Sequence, residues 1–521
     1  ALTGVLCAWN DSIPLLVLSG QANSRFLIGE TGLRQRGVHE ADISRLMKPV
    51  TKYAVTVTDE REIRFHLEKA LHLAKSGRPG PVWLDIPLDI QSKMIDPSGL
   101  VGFEEGEDAE FATVGPKEMA AVREMLMAAK RPVVLAGHGI ILAGLRQEFL
   151  HLVEGAGIPV VTTKNALDVI ADDHPLLAGR IGINGQRAGN FAVQNADLVL
   201  ALGSRLAFPT VGYETRLFAR EARKIVVDID ATQLQHPLID VDLSLRAALR
   251  SFIPALRDAM SGVSGDAYGS WQEKCRHWRA VFPPVLPEWR SRTDYVDPYH
   301  FFEVLSEEML ADDVLVTDQG ATFYCSTVAF KVKAGQRAFT NGGFSPMGYG
   351  LPAAIGACFG KNGERVVCAH GDGGLEMNVQ ELQTVAHYKL PMKLFVFNNQ
   401  GYLSIKHTQN AYFDGFFVGC DPESGVSCPD TLKLAEAYGI RSLRITNHLT
   451  MREQIREALD GPDPVMVDVI LDPMQPFLPK VASERKPDGR MVSKPLEDMY
   501  PFLDRDELKA EMLVPCAPES L

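Results

Sequence analysis

The chain has 521 residues, 46% hydrophobic and 23% charged, a balance that excludes a disordered or fibrous protein and leaves room for about two to four domains. Acidic residues outnumber basic ones by 66 to 53, and the net charge of −13 argues against nucleic acid or an anionic membrane as the main partner. The eight cysteines are dispersed, with neither CxxC pairs nor zinc-type Cys/His spacing, and no apolar run reaches the ~18 residues of a membrane span, so the chain reads as cytoplasmic with reduced thiols.

Ala1–Trp9 reads as the end of a helix, and Ile13–Ser19 (IPLLVLS) as a strand buried on both faces of a parallel sheet, with Asp11 marking only the turn between them. Such a strand rarely opens a domain, so the beginning reads as cut. A helical segment at Glu60–Lys75 and a second buried strand, Pro81–Ile86, follow. Pro97–Thr113 is a linker by composition. A second unit has strands at Pro132–Ala136, Pro159–Thr162, Leu198–Leu202 and Lys224–Ile229, and Ser261–Pro298 reads as a second linker. A third unit has strands at Val314–Thr317, Arg365–Ala369, Met392–Phe397 and Pro464–Ile470. From Asp472 onward the Pro-rich remainder reads as a tail wrapped on the surface. The expected fold is α/β: three doubly wound units with mainly parallel sheets at residues 1–96, 114–260 and 299–471, then the tail 472–521.

The most informative stretch is Arg365–Gly401. A buried strand runs into Gly371-Asp372-Gly373-Gly374, a helical pattern carries Val379, Leu382, Val385 and Ala386, and a second strand ends at Asn398-Asn399. Glycines at the end of a strand let the backbone approach a phosphate, and their N–H groups favour an anion. Asp372 supplies one hard oxygen, Asn399 a second, and an exposed carbonyl such as that of Gly401 a third, which beside a diphosphate makes a Mg²⁺ site. GDG alone is more often a plain turn. The full order of strand, GDG, helix, strand and NN points to the metal–diphosphate site instead.

That order is the thiamin-diphosphate motif, and almost the whole chain resembles the acetohydroxyacid (acetolactate) synthase large subunit and its relatives. Ala1–Gln21 resembles the latter part of their pyrimidine-binding domain, Asn341–Ala357 (NGGFSPMGYGLPAAIGA) the stretch that wedges the cofactor, and Lys494–Arg505 their tail. The resemblance implies that Asp372, Asn399 and the Gly401 carbonyl bind Mg²⁺ and the diphosphate. It implies that Met347 enforces a bent cofactor and that the Ser345 carbonyl accepts a hydrogen bond from its 4′-amino group. The bend holds that nitrogen beside the thiazolium C2–H, so the cofactor can deprotonate its own carbon. Met347 outside this context would read as a core methionine. Tyr402 packs near the cofactor or fills core.

Several positions depart from the family pattern. The activating glutamate lies upstream of the point matching Ala1, so the sequence as given does not contain it. His39-Glu40 aligns with the family's Phe-Gln-Glu stretch, where the position of His39 faces substrate. His39 is therefore a candidate substrate-side acid/base or a plain loop histidine. The family's Gln-His pair on the diphosphate loop becomes Ala321-Thr322, leaving the threonine hydroxyl and the Gly320 backbone for phosphate. The stretch that holds FAD in the synthases retains only Arg205, and Gly137-His138-Gly139 lacks the third glycine of a dinucleotide fingerprint, so FAD stays open. Asp228 and Asp230 read as a ribose contact or a turn, and Lys406-His407 as an entrance to the site or a solvated loop.

The implied activity is decarboxylation of a small 2-keto acid followed by carboligation to an acceptor carbonyl. A simple 2-keto-acid decarboxylase, and a homologue or fragment that binds the cofactor without turnover, are the alternatives. The resemblance also implies a homodimer or homotetramer with the site at the subunit interface.

Overall fold

In the computed structural model, residues 1–104, 113–262, 265–485 and 491–520 are described. Ala1–Thr113 with Asn341–Pro346 form one compact unit, and Val114–Thr340 with Met347–Leu521 the other. Among the described residues no helix is long and apolar enough to cross a membrane.

The first unit is built on a parallel three-stranded sheet in the order β1-β3-β2: β1 is Leu15–Gln21, β2 Tyr53–Thr56 and β3 Pro81–Pro87. β3 is central and buried, as its apolar run predicts. β1 is a correction. It starts two residues later than the sequence suggests and is only half-buried, because it pairs with β3 alone and stands at the sheet edge. Asp11 is a second correction: it is buried and accepts a hydrogen bond from the Asn341 side chain, which also donates to the Cys7 carbonyl at 3.3 Å. These bonds tie the 341–346 segment to the first unit. Residues 105–112 of the first linker lie outside the described residues, and its beginning is a single 3-10 turn, Pro97–Gly99.

The second unit holds two parallel six-stranded sheets. The central one runs β6-β5-β4-β7-β8-β9, from β4 (Pro132–Ala136), β5 (Val160–Thr162), β6 (Leu177–Arg180), β7 (Leu198–Leu202), β8 (Arg223–Asp228) and β9 (Leu243–Arg246). The other runs β11-β10-β12-β13-β15-β14, from β10 (Val314–Thr317), β11 (Arg337–Phe339), β12 (Val366–Gly371), β13 (Met392–Asn398), β14 (Arg441–Ile445) and β15 (Val465–Ile470). All the strands read from apolar runs are present within two residues. β2, β6, β9, β11 and β14 escaped the sequence pattern because they are short or carry polar residues.

Two connections are elements of the core, contrary to the sequence reading. The supposed second linker contains helix Gly269–Val281, whose Trp271, Cys275 and Trp278 share one face and pack into the central core. Residues 263–264 of it lie outside the described residues. The tail does not lie on the surface either. Val481, Leu496, Met499 and Leu508 enter the same core, and the buried Asn190 and Gln194 side chains donate to the Leu496 carbonyl and to Glu497. Residues 486–490 and 521 are outside the described part. Because Met499 is fully buried, Met499→Ala is expected to cost ~2–5 kcal/mol, read as a lowered urea midpoint. A side chain merely resting on the surface would change stability by under about 0.5 kcal/mol.

Candidate functional site

In the chain β10 is followed by β11 on one side and then by β12 on the other, so the loops leaving β10 and β12 diverge and open a crevice at their carboxyl ends. Thr317 pairs with Ala369, and beyond that rung the Asp318 N–H donates to the Ala369 carbonyl at 2.9 Å. Gly320, at φ 76°, then turns the chain into helix Ala321–Ala329. The first N–H groups of a helix have no partner within it. Thr322 is a correction: it is fully buried and its hydroxyl donates back to the Asp318 and Gln319 carbonyls (2.9 and 3.1 Å), so it does not present an oxygen to the crevice.

β12 ends at Gly371, which leads into one helical turn, Asp372–Leu375. The sequence suggests one continuous helix here. Instead the chain breaks at Asn378 (φ −142°), whose side chain donates to the Gly348 carbonyl at 2.8 Å, and restarts as helix Leu382–Tyr388. The loop therefore offers an anion individual N–H groups rather than a long helix dipole. A Cβ on Gly373 would lie 2.4 Å from the Tyr402 ring, and one on Gly374 2.3 Å from Asp318 Oδ2. Both glycines are demanded by packing inside the site.

Asp372 is 5% exposed. Its Oδ1 accepts the Gly373 N–H at 2.8 Å and its Oδ2 the Gly401 N–H at 3.0 Å, across from the end of β13. Burial pushes its carboxyl up to about 6, against the lowering effect of the backbone N–H groups around it. Gly401 has φ 126°, and a Cβ there would strike the Cys420 carbonyl oxygen at 2.2 Å. Asn399 is buried, and its Nδ2 has no hydrogen-bond partner among the described residues. Tyr402, placed by its N–H bond to the Cys420 carbonyl (2.8 Å), fills the space over Gly373.

Gly320, Ala321, Gly371–Gly374, Asn399, Gly401 and Tyr402 thus follow the carboxyl ends of β10, β12 and β13 on one side of the sheet. Met347 belongs to the same unit and is 41% exposed, not a core methionine. Ser345 and His39 belong to the first unit. Both are exposed with positive φ, 57° and 61°. Glu40 has a task of its own, because its carboxylate accepts the Ile28 and Arg36 N–H groups at 3.0 and 3.1 Å. Lys406 and His407 line no solvated loop. They lie on helix Leu403–Tyr412, where Lys406 is buried 3.6 Å from Asp421 and His407 packs edge-on against Phe477. Asp230 caps a short helix by accepting the Thr232 N–H at 2.9 Å, and Asp228 accepts the Asp230 N–H at 2.9 Å. Sequence reasoning missed Asp318, His370 and Asn378; Asp318 directly follows β10 and His370 directly precedes Gly371-Asp372-Gly373, but neither position by itself marks a pair.

A parallel sheet with a buried aspartate and glycine-lined loops at its switch point defines a class of phosphate-bearing cofactor sites. Residues 320–469 match the family described as "Thiamine pyrophosphate enzyme, C-terminal TPP binding domain", and residues 119–256 the "Thiamine pyrophosphate enzyme, central domain". The chain is 31% identical over 511 residues to a probable acetolactate synthase large subunit of Methanocaldococcus jannaschii, covering 94% of this chain and 82% of that one. It is 28% identical to the acetolactate synthase large subunit of Cyanidium caldarium (92% and 81% covered) and 29% to the isozyme 1 large subunit of Escherichia coli (92% and 82%). The chain belongs to the thiamine pyrophosphate enzymes, in the family of the acetolactate synthase large subunits. It is a thiamin-diphosphate enzyme.

Because the Asp372 carboxylate accepts the Gly373 and Gly401 N–H groups on separate oxygens, Asp372→Asn, which removes the charge and turns an amide N–H₂ toward one of those donors, is expected to weaken thiamin-diphosphate binding in the presence of Mg²⁺ on the order of 100-fold by calorimetry. Unchanged affinity would remove Asp372 from the site.

Proposed function

We propose that this enzyme decarboxylates a small 2-keto acid and joins the remaining fragment to an acceptor carbonyl, the activity named for its relatives. The observation that carries the reading is the buried Asp372 carboxylate at the carboxyl end of the sheet, its two oxygens accepting the Gly373 and Gly401 N–H groups and its carboxyl pushed up to about 6 by burial. In this reading Asp372, the Asn399 amide oxygen and the Gly401 carbonyl hold Mg²⁺. The fit rests on the buried Asn399 amide, whose Nδ2 has no hydrogen-bond partner among the described residues, and on the Asp372 carboxylate across from it. One carboxylate, one amide and one carbonyl suit a hard ion that shares its shell with phosphate oxygens. The backbone of Gly320, Ala321, Gly371, Gly373 and Gly374 receives the diphosphate, with Tyr402 packed behind.

When bound, thiamin diphosphate supplies the electron sink for cleaving the bond to the substrate carboxylate. Met347 orients it, and its exposure supports that task. Ser345 offers its carbonyl to the 4′-amino group, and His39 serves the substrate side. This reading does not call on FAD, and Gly137–Gly139 do not supply its phosphate site. At the switch point of the central sheet the Gly137 and Gly139 N–H groups already donate to the Leu202 and Gly203 carbonyls (2.9 and 3.0 Å). A Cβ on Gly137 would lie 2.2 Å from the Gly203 oxygen, so these glycines serve loop closure, and the residues do not fit a phosphate cradle.

A subunit contact is supported by exposed apolar side chains on and after helix Leu403–Tyr412: Ile405, Tyr412, Phe413, Phe416 (75% exposed) and Val418. A homodimer or homotetramer is the expected state, with sedimentation giving at least twice the 57.2 kDa chain mass. A monomer that binds thiamin diphosphate fully would contradict it. All eight cysteines are free thiols, which supports a reducing, cytoplasmic setting.

The activity is tested by supplying thiamin diphosphate, Mg²⁺ and pyruvate, then measuring carbon dioxide and 2-acetolactate. Both are expected in equal amounts; carbon dioxide with an aldehyde as sole product would make the enzyme a simple decarboxylase. Met347→Ala is expected to keep cofactor affinity within about threefold yet slow C2–H exchange of the bound cofactor roughly tenfold or more, followed in deuterated buffer. Exchange at the wild-type rate would remove the orienting role.

A further inference from the structure

Asp318 takes no part in the metal or phosphate contacts assigned above, yet it touches the loop that leaves β12 and the backbone that follows Met347. Its side chain is 1% exposed. Oδ1 accepts the Gly350 N–H at 3.0 Å, and Oδ2 accepts the Gly348 N–H at 3.3 Å. Oδ2 also lies 3.4 Å from Nδ1 of His370, a residue with no exposed surface. Nδ1 is 3.1 Å from the Gly371 carbonyl as well. Two acceptors around Nδ1 assign the ring proton to that nitrogen. Nε2 is buried without a hydrogen-bond partner among the described residues.

Glycines seal this cluster. A Cβ on Gly350 would meet Asp318 Cβ and His370 Cδ2 at 2.9 Å each, and one on Gly374 would meet Asp318 Oδ2 at 2.3 Å. The Gly348 carbonyl is held from the other side by Asn378 Nδ2. One carboxylate therefore pins the end of β10, the backbone directly after Met347, and the loop leaving β12.

We propose that Asp318, held in orientation by His370, is a positioning residue: it fixes the Gly348–Gly350 backbone and through it the Met347 side chain. The link to turnover rests on the Met347 reading above; the backbone anchor does not. A carboxylate with no donor of its own is required, since two inward N–H groups and the His370 Nδ1–H all need acceptors. Asparagine keeps the size but turns an amide N–H₂ toward one of those donors. At position 370, Asn can offer a donor near the place of Nδ1, whereas Leu cannot.

The test uses the full chain with and without thiamin diphosphate and Mg²⁺. Without cofactor, Asp318→Asn and His370→Leu are expected to speed amide hydrogen exchange at Gly348 and Gly350 about tenfold or more, with His370→Asn close to wild type. With cofactor, the first two are expected to lower kcat about tenfold or more while KM for pyruvate and cofactor Kd stay within about threefold. Protected wild-type exchange at both amides in Asp318→Asn would overturn the proposal, as would a loss confined to cofactor affinity. Faster exchange with unchanged kcat would uphold the anchor and count against the Met347 role instead. Should Asp318→Asn fail to fold, the His370→Leu and His370→Asn pair decides the matter by the same readouts.

Discussion

The hydrogen bond from the Asp318 N–H to the Ala369 carbonyl is the last rung between β10 and β12, and the site is laid out from it. Up to that rung the two strands are held in parallel register by apolar cores on both faces of the sheet. Beyond it the chain reverses its winding direction, so one loop turns into helix Ala321–Ala329 and the other into the Asp372 turn. The crevice follows from topology. Any sequence folding with this strand order opens a gap here; the residues decide what the gap holds.

Two buried carboxylates face that gap's walls and are used differently. Burying a carboxylate is costly unless hydrogen bonds or a cation compensate. Asp318 finds its compensation within the protein, in two backbone N–H groups and a histidine. Among the described residues the donors to Asp372 are backbone N–H groups, and burial pushes its carboxyl up to about 6. A cation seated against Asp372 would offset that burial, whereas Asp318 has no room for one, because the Gly374 and Gly350 backbones close over it. In the proposed reading one carboxylate shapes the site and the other holds the metal.

The sheets and the glycine and asparagine turns at their strand ends were legible in the sequence because both write local patterns. Buried parallel strands such as Pro132–Ala136 and Leu198–Leu202 are continuous apolar runs, and the Gly371–Gly374 and Asn398-Asn399 turns sit at strand ends. What stayed hidden depends on distant partners. Trp271 and Trp278 looked like part of a linker until the central core supplied their surroundings, and Met499 like a surface residue until the tail docked. The Thr322 hydroxyl turned inward because the Asp318 and Gln319 carbonyls lay one helical turn behind it. Asp318 and His370 are ordinary residues in sequence; only the register of β10 with β12 brings them together.

The central claim is that thiamin diphosphate and its metal sit at the β10–β12 switch point against Asp372. The most direct measurement is a crystal structure of the protein with thiamin diphosphate and Mn²⁺ in place of Mg²⁺, with the metal located by its anomalous scattering. The account predicts one strong peak touching the Asp372 carboxylate, the Asn399 amide oxygen and the Gly401 carbonyl, with the diphosphate between the Gly320 and Gly373 turns. A metal peak away from Asp372, or an ordered cofactor at the ends of the central sheet, would contradict it.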